Sequence, residues 1–255
     1  MAYLSVCIPT YEMNGQGVRF LKESFDKLAN QTLRDFDVVI SDHSQDSLIK
    51  DLCATYADTL EIHYYQNTEN RGSSSANINT AIKYATGRLI KVLFQDDFLY
   101  DKNSLQTTVD AFDIQKDHWL ISSYIHTQDG VVFYNTHTPR YTHDIHLGHN
   151  RIGTPSALTI KNENVPFFDE QLIWLMDGEY YKRLYGAYGA PKILQRITVV
   201  NRVGIHQVTA TLATLTKQKQ EFNYVLAKYE HGYMKTWYRL YYSLKFFIKS
   251  IFRHD

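Results

Sequence analysis

Long apolar runs, a strong net charge and a set of paired cysteines are all missing from this chain of 255 residues. No stretch of 18 uncharged apolar residues occurs, so we expect no membrane-spanning helix. Lys plus Arg and Asp plus Glu number 27 each, so there is no overall basic field of the kind that attracts nucleic acids. We therefore expect no nucleic-acid partner.

Cysteine usage and the first residues both favour a reducing compartment. The two cysteines, Cys7 and Cys53, are too few for a disulfide framework, and Cys7 lies in an apolar run typical of a protein core. Residues 1–5 lead directly into a strand pattern and show no secretion signal. We expect a cytoplasmic protein.

Glycine and proline are also sparse, with 12 and 5 residues, and we find no low-complexity linker and no internal repeat. The composition is otherwise that of a globular protein, with 44% apolar and 21% charged residues. This length suits one α/β domain with additions. The 20 tyrosines fit a carbohydrate-binding surface, although compositional bias explains them equally well.

The first hundred residues alternate between short apolar runs and segments with helical periodicity. The apolar runs predict strands at 4–9, 36–42 and 61–65 and within 88–97, whereas helical spacing predicts helices over 18–30, 47–56 and 76–86. Gly87 follows the third helix at a position typical of a helix C′ residue. This alternation implies a parallel sheet with right-handed crossover connections.

Acidic residues follow three of these strands: Glu12 after the first, Asp42 at the end of the second, and Asp96 and Asp97 after the fourth. Ligands of open α/β sheets bind beyond the carboxyl ends of the strands. A carboxylate pair there suits a divalent metal and the phosphates that it holds. The aspartates could instead open turns or cap helices, but their number favours a functional site.

The second half of the chain mixes strands, helices and a polar segment. We expect a helix at 105–112, a hairpin of strands 119–125 and 131–134 around the turn 128–130, strands at 157–160 and 193–203, and a helix at 176–185. Asp177 and Glu179 lie in the first turn of that last helix, where the helix dipole alone would favour them. Segment 135–152 resembles a loop or lid, and its histidines lack the tight spacing typical of a metal cluster.

Five segments together resemble glycosyltransferase family 2, whose members have the GT-A fold. The resemblance covers roughly residues 3–210. Its segments follow the order of the family: Ser5–Glu12, Val39–Asp46, Asn70–Gly72, Leu93–Asp97 and Trp174–Tyr180. It implies a GT-A, Rossmann-like α/β fold with a mostly parallel central sheet flanked by helices.

The resemblance also implies roles for individual residues. Asp177 would be the catalytic base, with Glu179 as an alternative, and Asp97 and His206 would hold Mn²⁺ or Mg²⁺. Residues expected to bind the nucleotide-sugar are Pro9, Thr10, Tyr11, Glu12, Asp42, Asn70, Arg71, Gly72, Gln95 and Asp96. The first acidic position of the family's DXD motif is Phe94 here, which leaves open how Asp96 and Asp97 divide metal and sugar binding.

The reaction implied by the family is transfer of a sugar, with inversion, from a nucleotide diphosphate to an acceptor hydroxyl. A UDP-sugar donor and a glycan or lipid-linked glycan acceptor are the expected substrates, in surface polysaccharide or glycoconjugate synthesis. One alternative is a sugar nucleotidyltransferase, which the absence of a glycine-rich loop after the first strand disfavours. Another is a non-catalytic sugar- or membrane-binding module on a transferase scaffold, for which Phe94 is the only support.

The C-terminal segment has a different character from the rest of the chain. We expect a catalytic domain over 1–215, with a nucleotide-binding half to about residue 100 and an acceptor half over 101–215, followed by a helical extension over 216–255. Over 233–254, apolar residues such as Trp237 and Leu240 share one helical face and basic residues gather on the other. This pattern fits peripheral contact with an anionic membrane, or packing against the catalytic domain or a second subunit in a homodimer.

Overall fold

The fold is described from a computed structural model that covers residues 2–204, 214–233 and 236–242. Strands lie at β1 Leu4–Thr10, β2 Phe36–Asp42, β3 Ile62–Gln66, β4 Leu89–Val92, β5 Phe98–Leu99, β6 Trp119–Thr127, β7 Phe133–His137, β8 Leu158–Lys161 and β9 Lys192–Arg202. Helices lie at α1 Gly17–Ala29, α2 Leu48–Thr55, α3 Ser74–Tyr84, α4 Ser104–Ala111, α5 Met176–Tyr188 and α6 Leu215–Tyr229. Within these residues the strands form one sheet, ordered β3-β2-β1-β4-β8-β6-β9-β5, with β7 paired to β6.

The N-terminal half of the sheet is parallel, as the alternation of strands and helices predicts. Cys7 of β1 lies in register with Val39 of β2 on one side and Val92 of β4 on the other. Every residue of these three strands is buried, because helices and loops cover both faces of the sheet. Their carboxyl ends therefore meet at one edge.

The C-terminal half is mixed rather than parallel. Strand β8 runs antiparallel to both β4 and β6, whereas β6 and β9 run parallel to each other. The predicted hairpin is confirmed as β6 and β7, although β7 extends to His137, so that part of the expected loop is strand. Strand β5 has only two residues, too few for a pattern to appear in the sequence.

Gly87 does not serve as a helix C′ residue, contrary to the sequence-based prediction. Helix α3 ends at Tyr84, its C-cap Ala85 is extended, and Gly87 is not among the residues with positive φ. A Cβ at Gly87 would lie 2.5 Å from the backbone nitrogen of Ser5. The glycine is required because the chain passes directly against the start of β1 here.

Helix α6 packs on the rest of the fold and buries Phe222, Val225 and Leu226 in the main core. Residues 236–242 are helical as well, and the Tyr242 ring stacks on Phe222 at a centroid distance of 4.2 Å. No helix within the described ranges is long and apolar enough to cross a membrane. Most of the expected amphipathic face, residues 243–254, lies outside those ranges.

The histidines of segment 135–152 form ordinary polar contacts. His146 is buried and lies 3.1 Å from Glu230, while His149 contacts Asp144 at 2.5 Å and the Tyr242 hydroxyl at 3.0 Å. Across the described part of the chain, no three His, Cys, Asp or Glu side chains are arranged to hold a metal. These contacts instead join the segment to the C-terminal helices.

Candidate active site

A cleft of about 670 Å³ opens at the carboxyl ends of β1 and β4. Its wall also includes the loop after β2, the start of α3, the turn before β8 and the N-terminus of α5. The lining residues are Pro9, Tyr11, Glu12, Met13, Asn14, His43, Gln45, Arg71, Gly72, Ser74, Asn77, Phe94, Gln95, Asp96, Asp97, Tyr124, Gly153, Thr154, Pro155, Ile173, Trp174, Met176, Asp177 and Asn201. Four acidic residues that are distant in sequence, Glu12, Asp96, Asp97 and Asp177, therefore line one cavity, whereas Asp42 does not.

Gln95 joins the turn after β1 to the turn after β4. Its side-chain oxygen accepts a hydrogen bond from the Tyr11 backbone N–H at 2.9 Å, and its amide nitrogen donates to the Gly17 carbonyl at 2.9 Å. A Cβ at Gly17 would lie 2.3 Å from the Tyr11 carbonyl oxygen, so only glycine fits there. The backbone around Tyr11 is thus fixed from two directions.

Two residues predicted to contact the nucleotide, Asp42 and Thr10, lie beneath the cleft and do not line it. Asp42 is fully buried, and its carboxylate accepts hydrogen bonds from the Thr10 hydroxyl at 3.0 Å, the Ser44 N–H at 3.0 Å and the Tyr64 hydroxyl at 2.8 Å. These bonds satisfy both carboxylate oxygens. Asp42 therefore orders the loop after β2, whose residues His43 and Gln45 reach the cleft instead.

Glu12 and Arg71 hold that loop from either side. The Glu12 carboxylate accepts from the Gln45 N–H at 2.5 Å, and the Arg71 guanidinium donates to the Ser44 carbonyl at 3.4 Å. Asn70, also predicted to bind the donor, does not line the cleft; it donates to Glu170 at 2.8 Å. Its φ of 50° shows that it forms the turn that presents Arg71 and Gly72.

Asp96 and Asp97 follow β4 and differ in their surroundings. Asp97 is 2% exposed, and its carboxylate accepts from the Arg202 N–H at 2.8 Å, the Asn201 amide at 3.0 Å and the Thr154 hydroxyl at 3.1 Å. Burial, followed by the charge of Asp96, raises the pKa of Asp97 well above its ordinary value. Asp96 lies on the cleft wall and is less buried.

Arg202, the last residue of β9, is close to the carboxylate pair but does not line the cleft. It is 2% exposed, its Nε donates to the Asp96 carbonyl at 3.2 Å, and its guanidinium is paired with Glu23. The guanidinium also lies over the Phe20 and Phe98 rings. Arg202 thus fixes the backbone of the carboxylate pair from beneath.

Asp177 is a partly buried residue on the cleft wall, in the first turn of α5. Loss of water around it, and then the charge of Asp97, raise the pKa of the Asp177 carboxyl to about 7. A carboxyl with this pKa can accept a proton near neutral pH. Of the two acidic candidates in this turn, Asp177 is the one placed to act on a ligand.

Glu179, the alternative base, is excluded by its position. It is fully buried outside the cleft, where Arg183, Lys228 and the Tyr229 hydroxyl all donate to its carboxylate at 2.6–3.0 Å. These bonds tie α5 to α6. The acidic residues of this turn therefore have separate tasks, which their spacing alone does not reveal.

A family model described as glycosyl transferase family 2 matches residues 5–177, which is more than half of the chain. The chain belongs to glycosyl transferase family 2. This establishes the resemblance inferred from the five sequence segments. No curated protein matches the chain significantly.

Solved structures with the same fold include TarS and a mannosyltransferase, each in complex with a nucleotide-sugar. S. aureus TarS 1–349, in complex with UDP-GlcNAc, superposes with a TM-score of 0.68 at 19% identity, covering 89% of this chain and 66% of that one. The mannosyltransferase PcManGT from Pyrobaculum calidifontis, in complex with GDP-Man and Mn²⁺, gives 0.60 at 17% identity, with 89% and 63% coverage. This family 2 chain thus spans just under two thirds of each, and at these identities the likeness establishes the GT-A fold alone.

A divalent metal, which family membership implies, fits the residues at this cleft. Asp96 and Asp97 are adjacent carboxylates, and the pKa of Asp97 is raised partly by the charge of Asp96. A hard cation that prefers oxygen ligands would relieve this repulsion. His206, predicted to be a further metal ligand, lies outside the described residues.

Sequence reasoning missed several residues of this family 2 cleft. Tyr124, Thr154 and Asn201 line it, yet they lie on β6, before β8 and on β9, in the mixed half of the sheet. Near Thr154, the Gly153-Thr154-Pro155 sequence indicates a turn but not a site, and the sequence around Tyr124 and Asn201 indicates only strands. Trp174 was noted as part of a motif but not as a cleft residue.

Proposed function

We propose that the chain transfers a sugar from a nucleotide diphosphate to an acceptor hydroxyl, with inversion at the anomeric carbon. The observation that carries this proposal is the pairing of two carboxylate sites in one cleft. Asp96 and Asp97 can hold a metal and diphosphate, and Asp177 has a pKa near neutrality. Inversion in a single displacement needs a base in addition to the groups that hold the leaving diphosphate.

Asp177 is the proposed base. When ionised, it would accept the proton of the acceptor hydroxyl as the oxygen attacks the anomeric carbon. The bond between that carbon and the diphosphate oxygen breaks, and the nucleotide diphosphate leaves. Mn²⁺ or Mg²⁺ bound at this site would supply charge neutralisation of the leaving group, with Asp97 as the proposed ligand and His206 as a second.

The nucleotide half of the cleft fits a base and ribose. Tyr11 offers a ring for stacking, and Glu12, Gln95, Arg71 and Gly72 line the same wall. Since Asp42 and Thr10 lie beneath this wall, we propose that they act by holding the loop that contacts the base. The proposed donor is a UDP-sugar, by analogy with the TarS complex; the GDP-Man complex of PcManGT makes a guanosine donor the runner-up.

The acceptor is proposed to bind beside Asp177. Ile173, Trp174 and Met176, its neighbours along the chain, also line the cleft, and an aromatic ring offers an apolar face against which a sugar can pack. This surface suits a glycan or lipid-linked glycan acceptor. A non-catalytic sugar-binding module could bind a sugar at the same wall, but binding alone would not require the raised pKa of Asp177.

Peripheral membrane contact through the C-terminal helix is proposed as well. Among the described residues of this C-terminal segment, Tyr233, Trp237, Arg239, Leu240 and Tyr241 are exposed. Aromatic residues with adjacent basic residues favour the interface of an anionic bilayer. Truncation after residue 232 should abolish pelleting with phosphatidylserine vesicles. Unchanged pelleting would remove the proposal, and concentration-dependent self-association would assign the patch to a dimer.

The test of the central proposal is a donor panel with and without metal. UDP-GlcNAc, UDP-glucose, UDP-galactose and GDP-mannose should be incubated with the protein and either Mn²⁺ or EDTA. The released nucleoside diphosphate, UDP or GDP, is then measured, and diphosphate release has this meaning throughout. We expect release that requires metal, and a first-formed free sugar with inverted anomeric configuration by NMR. Binding of a donor without any release would favour the non-catalytic module.

A further inference from the structure

The N-terminus of α5 is capped by a residue from another helix. Helix α5 begins at Met176, and its own N-cap residue, Leu175, offers no side-chain hydrogen bond. The first backbone N–H groups of a helix have no partner within the helix and need one elsewhere. Glu221 of α6, 46 positions further along the chain than Leu175, accepts from the N–H of this N-cap residue and from the two residues before it.

Glu221 binds three consecutive backbone N–H groups. One carboxylate oxygen accepts from Ile173 at 3.0 Å, and the other accepts from Trp174 and Leu175 at 2.9 Å each. The Glu221 side chain is 2% exposed, and its neighbouring cation Lys217 is 4.0 Å away. Charge-assisted bonds of this kind are stronger and more directional than neutral ones, so this turn is held firmly.

The turn that Glu221 holds carries two residues of the cleft. Trp174 is one of the residues bound through its own N–H, and Asp177 follows Leu175 by two positions in the first turn of α5. Both side chains line the cleft. Helix α6 lies beyond residue 177, where the match to the family model ends, so the match itself does not include Glu221.

We propose that Glu221 is a positioning residue for catalysis, which fixes the Trp174–Asp177 turn so that the Asp177 carboxylate points at the acceptor oxygen. The proposal rests on the proposed transferase function. Small displacements of a catalytic group cost large factors in rate, whereas binding of the nucleotide at the other end of the cleft does not depend on this turn. Helix α6 is thereby part of the active site and not only an extension of it.

The competing explanation is that Glu221 only docks α6 on the protein. A matched control separates the two, because α6 has a second attachment that does not touch the capped turn. Asp169 accepts from the Tyr224 hydroxyl at 2.8 Å and from Lys228 at 2.7 Å. Asp169→Asn therefore weakens the docking of α6 and leaves all three hydrogen bonds of Glu221 in place.

The experiment compares Glu221→Gln with Asp169→Asn in the full chain. Water serves as the acceptor, so that turnover is measured as diphosphate release from the panel donor that the wild type hydrolyses fastest, with Mn²⁺ present. We expect Glu221→Gln to lower kcat by about tenfold to a hundredfold while the Kd of UDP stays within about twofold. Asp169→Asn should lose thermal stability but keep kcat within about threefold.

Amide hydrogen exchange gives a readout that does not depend on activity. Exchange of residues 173–177 should become at least about tenfold faster in Glu221→Gln and stay unchanged in Asp169→Asn. Equal effects of the two variants on kcat and on exchange would overturn the proposal. If Glu221→Gln fails to fold, Glu221→Asp, which keeps the charge but has a shorter reach, is read by the same criteria. If the wild type turns over no donor, the transferase function is refuted. The positioning role of Glu221 is then refuted with it, even if hydrogen exchange confirms that Glu221 holds residues 173–175.

Discussion

The charge of Asp97 raises the pKa of the Asp177 carboxyl, adding to the larger effect of burial, and together they bring it to about 7. The two residues come from different parts of the sheet edge, one after β4 and one at the start of α5. A carboxyl with a pKa near neutrality is unusual for aspartate and is typical of a residue that transfers a proton.

The first prediction concerns the pH dependence of turnover. Asp177 must be ionised to accept a proton, so kcat/KM for the donor should rise with pH through the pKa of Asp177, which burial raises, and level off above it. The measurement is diphosphate release at saturating Mn²⁺. UDP binding, measured over the same range, is the control for titration of the ligand. A flat profile across the range, with constant binding, would argue against Asp177 as the base.

A second prediction follows for stability. A carboxyl whose pKa is higher in the folded than in the unfolded protein binds its proton more tightly when folded, so this group reduces stability as the pH rises from about 4 to about 7. Asp177→Asn should therefore have a higher Tm than the wild type above pH 7, and the difference should shrink towards pH 4. Differential scanning calorimetry at several pH values checks this. A variant less stable than the wild type at pH 8 would contradict the pKa assignment.

Much of the fold was accessible from the sequence, because strands β1, β2 and β4 are continuous apolar runs followed by polar residues. The convergence of Tyr11, Asp96 and Asp177 could be predicted from family-like order. The position of Asp42 beneath the cleft could not be predicted. One of its carboxylate oxygens is satisfied by the Tyr64 hydroxyl, which comes from the neighbouring strand β3. Glu221 and Asn201 were equally inaccessible, since each acts through contacts made far along the chain.

A third prediction divides the labour of the two aspartates. Asp97→Asn should lower the affinity for Mn²⁺ in the presence of UDP by at least about tenfold, because one charged ligand is lost. Its stability should be retained, since an amide oxygen can still accept from Asn201 and from the Arg202 N–H. Asp96→Asn should mainly weaken binding of the intact donor. Titration with Mn²⁺ followed by electron paramagnetic resonance would distinguish the two, and a reversed order would assign the metal to Asp96.

The fourth prediction compares two glycines. Gly153 has a φ of +93°, and a Cβ there would lie 1.8 Å from the Tyr124 hydroxyl oxygen at the cleft wall. Gly153→Ala should destabilise the protein by about 2 kcal/mol or more and impair donor binding, because both the backbone at residue 153 and the Tyr124 ring must move.

Gly186 lies in α5 with no atom within 4 Å of the added Cβ. Gly186→Ala should instead stabilise the protein by roughly 0.5–1 kcal/mol. Thermal unfolding and UDP binding test both variants, and a Gly153→Ala protein that is as stable as Gly186→Ala and binds UDP equally well would contradict the prediction.

The most direct test of the account is a comparison of wild type and Asp177→Asn with the preferred donor and Mn²⁺, in which UDP binding and diphosphate release are measured on the same samples. The variant should bind UDP within about twofold of the wild type and release nucleoside diphosphate at least about a hundredfold more slowly. Release at the wild-type rate by Asp177→Asn would contradict the assignment of the base, and absence of binding and release in the wild type with every donor would contradict the proposed function.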